Sequence, residues 1–214
     1  MDTSLTVPNW KTALKLRQYK ILLFGGLFLT VCVLASLPAF FDRIEARNGI
    51  VLNDFILQLM PAINLSVLIF IVIWSMALLM ATRGLRNPYT VVLFIWSFLF
   101  LTLSRIVTIS LVPLNAPVGL IILKDPLSNN FYRGAFITKD LFYSGHTSTM
   151  FLMFLCLQKR RDKILALFAT ISIGIMVLFQ HVHYTMDVIA APPLTYLVFL
   201  SARFVIRKVL KSSV

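Results

Sequence analysis

Residues 89–112 read YTVVLFIWSFLFLTLSRIVTISLV, twenty-four positions carrying one charge, Arg105. At a helical rise of about 1.5 Å per residue, such a run can cross the ~30 Å hydrocarbon core of a bilayer. Its unbroken apolarity argues against a β-barrel strand, where lipid-facing and lumen-facing residues alternate. The same scan finds five companion runs, so spans are expected at 19–41, 56–80, 89–112, 141–157, 164–179 and 188–202. The rest of the chain agrees: of 214 residues 59% are hydrophobic and 13% charged, and the mean hydropathy is +0.88. These are values of an integral membrane protein. The expected fold is all-α, a six-transmembrane-helix bundle forming one domain over 1–214.

Two features qualify individual spans. Pro192 and Pro193 sit inside the last run, where neighbouring helices or water can satisfy the freed backbone groups, so a bend is expected there and not an end. The first run follows Lys11, Lys15, Arg17 and Lys20 and contains small residues at 35–39, as signal peptides do. Its apolar core exceeds their usual length of about 7–15 residues, so it reads as an uncleaved span.

The net charge of +12 raises the question of nucleic acid, and its distribution answers it. With the N-terminus placed in the cytoplasm, fourteen Lys and Arg residues fall on the inner side and six elsewhere. That asymmetry favours a topology with both termini inside, and assigns the basic charge to orientation and to anionic lipid heads. Cys32 and Cys156 lie in different spans and suggest neither a disulfide framework nor a metal site.

The topology gathers all three histidines at one membrane face. Residues 140–151, DLFYSGHTSTMF, set a polar cluster at the start of the fourth span. Gly145 lets a ligand approach the backbone, while Ser144 and Thr147 offer hydroxyls near a helix N-terminus that favours anions. His146 can donate a proton to a leaving oxygen. Residues 181–193 read HVHYTMDVIAAPP. Asp187, four positions after His183, can hold one ring nitrogen and leave the other to attack, an arrangement that recurs in nucleophilic catalysis. Two such histidines make a phosphoryl-transfer pair that needs no metal and no cofactor. Arg105 lies about 10 Å inside its span by helical rise, where a charge snorkels or is paired. Its guanidinium geometry suits a phosphate clamp, and Lys124, Arg133 and Lys139 are further cations on the same side.

The stretches DLFYSGHT (140–147) and HYTMDVIAA (183–191) resemble the paired signatures of the sphingomyelin synthase branch of the PAP2 lipid phosphatase and phosphotransferase superfamily. LPAFFDR (37–43) and RIVTISLVP (105–113) look like weaker motifs of that branch. The resemblance implies a six-span enzyme in which His146 protonates the leaving group. It further implies that His183, supported by Asp187, forms a phosphohistidine. Candidate substrate contacts are Arg105, Lys139, Asp140, Ser144, Gly145, Thr147 and Tyr184. The Lys-x6-Arg-Pro motif of the phosphatase branch is absent, and Tyr143 stands where phosphatases commonly have proline; both differences favour the synthase branch. Thr138-Lys139-Asp140 stands where animal synthases have Cys-Gly-Asp.

The expected activity is transfer of a phospho-head group from a phospholipid to ceramide or diacylglycerol at the exoplasmic or periplasmic face. The short loops are compatible with a bacterial inner membrane. The nearest alternative is a lipid phosphate phosphatase with water as acceptor. A haem or metal protein using His181-x-His183, or a transporter with polar residues along its path, are the readings from other classes. A Soret band or stoichiometric metal would mark the first, and proteoliposome uptake independent of His183 the second.

Overall fold

The computed structural model describes residues 9–123 and 136–211; Lys124 and Arg133 lie outside the described residues. Among these the structure is helical, with one isolated bridge between Ile50 and Leu114. In chain order the helices are α1 (Trp10–Ala13), α2 (Arg17–Ala46), α3 (Phe55–Gln58), α4 (Ser66–Arg86), α5 (Pro88–Leu111), α6 (Gly145–Cys156), α7 (Arg160–Phe179) and α8 (Thr185–Lys211). Five of them, α2, α4, α5, α7 and α8, are long and apolar enough to cross a membrane, which supports an integral membrane protein.

The remaining expected span differs. Helix α6 has twelve residues, about 18 Å, and by itself falls short of the ~30 Å core. Its apolar run starts at 141, but the preceding backbone is engaged sideways. Phe142 O accepts from Thr108 Oγ1 and Tyr143 O from Arg105 Nε, while the Ser144 N–H donates to Asp187 O. The helix opens only where Ser144 caps it by accepting from the Thr147 N–H. The second span also starts later than its hydropathy suggests, at Ser66 instead of 56, and continues to Arg86. Residues before it are tied to the end of α7: the Ile63 N–H donates to Phe179 O and the Leu65 N–H to Gln180 Oε1. Pro192 and Pro193 lie within α8, which continues to Lys211.

Local chemistry sets the turn between α4 and α5. Asn87 ends one helix and caps the next, accepting from the Tyr89 and Thr90 N–H groups, and Pro88 takes the first helical position. At this end of the bundle Arg83 forms a two-bond ion pair with Asp162, and Tyr19 Oη donates to Pro88 O. The basic residues at the start of α2 and α7 and at the end of α4 and α8 therefore share one end, away from the histidines.

Helix α6 packs against α4, α5, α7 and α8. Its Met150, Leu152 and Cys156 are fully buried, as are Ala166, Ala191 and Ala202, small residues that let helices approach closely. Helices α2 and α4 both pack on α5. A β-carbon at Gly174 would lie 3.0 Å from Val188 and 3.8 Å from Thr147, so these three residues are level. Gly174 is five residues before the end of α7 and Thr147 two residues after the start of α6, so that start is recessed by about 4–5 Å at the histidine end.

Candidate active site

Two helix starts meet at the recess. Tyr184 precedes α8, and the Asp187 carboxylate reaches back to its N–H (3.1 Å), the acidic half of a capping box. The same carboxylate oxygen lies 3.4 Å from His183 Nδ1. Asp187 is fully buried and His183 is 3% exposed, so this pair stands largely outside solvent. The Ser144 N–H bond to Asp187 O joins the two motifs through the backbone. The His146 and His183 rings then stand 6.3 Å apart between centroids, inclined at 63°.

Both imidazoles face a cavity of about 360 Å³. Its polar end is formed by His146, His183, Arg105, Asp140, Thr102, Thr138 and Thr149. Arg105 is fixed on several sides: Nε donates to Tyr143 O (3.0 Å), Nη2 to Asp140 Oδ1 (2.5 Å), and its flank lies against Gly145. Tyr143 Oη and Ser104 Oγ, 2.6 Å apart, close this arrangement from the adjoining position. A guanidinium so held keeps donors toward the cavity at low reorganisation cost.

The expected substrate contacts thus divide. Arg105, Asp140 and Gly145 line the cavity with both histidines. Gly145 does so for an unexpected reason, since the room left by its missing side chain is occupied by the Arg105 guanidinium. Ser144 is used as a cap and Thr147 lies against α7. Tyr184 Oη donates to Asn115 O and accepts from the Leu52 N–H, pinning two loops. Lys139 Nζ donates to the carbonyls of Glu45 and Arg47 at the end of α2. None of these four lines the cavity. His181 also lies outside it, with its ring nitrogens 2.9 Å from Val118 O and 3.1 Å from Met60 O. Among the described residues no group of three His, Cys, Asp or Glu could hold a metal ion.

Several contributors carried no sequence signal beyond their polarity. Thr102 and Thr149 reach the cavity through the facing surfaces of α5 and α6. Glu45 accepts from the Thr138 N–H, Thr138 Oγ1 and the Lys139 N–H, which fixes the segment delivering Asp140 to Arg105. Asp54 caps α3 through the Leu57 N–H while accepting from Thr185 N–H and Oγ1 at the start of α8. An acidic residue just before an apolar run is a cap signature that could have found it.

Burial raises the Asp54 carboxyl, but its bonds from Thr185, Leu57 and Ile56 outweigh that effect and leave it below its ordinary value. A depressed carboxylate contributes stability that is present above its unfolded pKa and is lost as pH falls through the folded one. Anchorage of α8 should therefore persist at neutral pH and loosen only in acid. Asp54→Asn is expected to reduce that acid dependence of thermal unfolding; an unchanged acid profile would count against this anchor.

No curated protein and no solved structure matches the chain. Residues 139–204 match the family model described as PAP2 superfamily C-terminal. That span contains both histidine motifs, from Asp140 to Thr147 and from His183 to Asp187, and leaves Arg105 and Glu45 outside. The match supports membership of the PAP2 superfamily, and with it an activity of the lipid phosphatase or phosphotransferase type.

Proposed function

We propose that the protein is a sphingomyelin synthase-like lipid phosphotransferase, moving a phospho-head group from a phospholipid to a lipid alcohol, ceramide or diacylglycerol. The observation carrying this reading is one cavity shared by two histidines 6.3 Å apart and a pre-positioned arginine. Asp187 at Nδ1 of His183 leaves Nε2 as nucleophile. Nε2 attacks the donor phosphorus as the bond to the departing lipid oxygen breaks, and the His146 imidazolium gives that oxygen its proton. Asp187 balances the charge that develops on the His183 ring. Arg105 neutralises the phosphate oxygens as charge builds on them. In the second half the acceptor hydroxyl gives its proton to His146, its oxygen attacks phosphorus, and the P–N bond breaks. Both histidines return to their starting states, as reversibility requires.

Water is the competing acceptor, as in a PAP2-type phosphatase. The apolar side chains of Leu120, Ile122, Leu123, Phe136, Ile137 and Val182 line the cavity on the loop side and favour a lipid hydroxyl over bulk water. In this reading the termini are cytoplasmic and the recess opens toward the exoplasmic or periplasmic side. The test offers purified enzyme a phospholipid donor with and without ceramide or diacylglycerol and identifies products by mass spectrometry. A new phospholipid appearing only with acceptor is expected. Free phosphate or head group at an unchanged rate, with rapid hydrolysis of simple lipid phosphates, would instead establish the phosphatase.

A further inference from the structure

The cavity continues away from its polar end. Arg105 and Phe98 both line it and are seven residues apart on α5, so it extends about 10 Å along the helix toward the bundle centre. That lower part is walled by apolar side chains from two helices that flank α5, Leu34 and Leu37 of α2 and Phe70 and Ile73 of α4, with Leu101 and Met150 behind them. Helices α2 and α4 each pack on α5 and, among the described residues, not closely on one another. Their outward faces beside the cavity carry exposed apolar residues, Phe28 and Val31 on α2 and Val67 and Ile71 on α4. The apolar wall is therefore continuous with the surface these helices turn to lipid.

Size makes this opening matter. About 360 Å³ is near the lower limit for a pocket holding a drug-sized ligand, so a two-chain phospholipid does not fit inside whole. Its phosphate belongs with Arg105 and the histidines, which fixes the direction in which its chains leave.

We propose that an acyl chain of the phospholipid donor lies in the lower cavity and passes into the bilayer between α2 and α4. This rests on the phosphotransfer reading for the position of the phosphate, and names how the donor enters without leaving the membrane. Leu34 and Ile73 form the two sides of the passage, and the chain packs on Phe98 and the edge of Leu101.

The test uses the full chain in vesicles of a phospholipid bearing a photoactivated diazirine in the upper part of one acyl chain, with labelled residues located by mass spectrometry. Ordinary surrounding lipid reaches Phe28 and Val67, whereas Leu101 is 2% exposed and Phe98 half-buried. Labelling at Phe98 or Leu101 is expected, falling several-fold in Leu34→Trp and Ile73→Trp, which narrow the passage, and unchanged in Leu78→Trp on the opposite half of α4. The two narrowing variants should also lower the ratio of activity on long-chain to short-chain donors tenfold or more. Labelling confined to bilayer-facing residues, or buried labelling equal in all variants, overturns the passage. Labelling as expected but no phosphotransfer to any acceptor would leave the passage standing and remove the proposed reaction.

Discussion

His183→Ala is expected to lower turnover by roughly 10³-fold or more while the protein stays folded. The magnitude follows from the proposed role: a nucleophile that forms the P–N bond has no substitute in the cavity if His146 serves as proton donor to the leaving oxygen. Asp187→Asn should cost less, since the nucleophile itself remains; what is lost is the charge that balances the His183 ring and the acceptor that keeps the proton on Nδ1. His183→Gln, of closer volume, guards against a packing artefact at a residue that is 3% exposed. The covalent step has its own readout. With donor and no acceptor, the peptide containing His183 should gain the mass of the transferred group, an adduct absent from both His183 variants. Near-normal turnover in His183→Ala, or an adduct that survives the substitution, would remove the phosphohistidine.

Gly145→Ala should lower turnover by about 10²-fold, the scale on which misplacement of a catalytic group by roughly 1 Å is felt. A β-carbon at this position would lie 2.5 Å from Arg105 Nη1 and 2.6 Å from its Cζ, closer than real contacts allow. The guanidinium must then move, breaking its alignment with Tyr143 O and Asp140. Alanine favours a helix more than glycine does, so a loss at the first residue of α6 cannot be assigned to a weakened helix. The cycle with Arg105→Ala isolates the cause: if Gly145→Ala acts through Arg105, the double variant is no worse than Arg105→Ala alone. Arg105→Lys should also fall short, because an ammonium lacks the planar fork that meets Tyr143, Asp140 and phosphate together. Independent, multiplying losses would show that Gly145 serves the substrate directly.

The two motifs show where sequence reading stops. The Ser-Gly-His-Thr stretch announced a helix start, and Ser144 does cap α6. The same reading gave Ser144 and Thr147 to the substrate, whereas one is used by the cap and the other faces α7. Which way a hydroxyl points depends on the neighbouring helix, which no local pattern contains. Arg105 is the converse case. Its depth in an apolar run left it to snorkel or be paired, and Asp140, thirty-five positions away, pairs with it.

What the sequence determined by itself is governed by one-dimensional physics. Apolar runs of membrane length gave the helical class, the clustering of Lys and Arg gave a common end for one set of helix termini, and the polar cluster at Ser144 gave a helix start, because each depends on residues within a few positions. Only the tertiary structure decided the shortness of α6, the late start of α4 and the division of polar residues between cavity and scaffold. Each of those turns on hydrogen bonds between segments far apart in the chain: Thr108 and Arg105 holding the backbone at 142–143, Gln180 holding Leu65, and Glu45 holding Thr138 and Lys139. A buried backbone or polar group takes whichever partner the packed bundle brings within reach, and that choice is made in three dimensions.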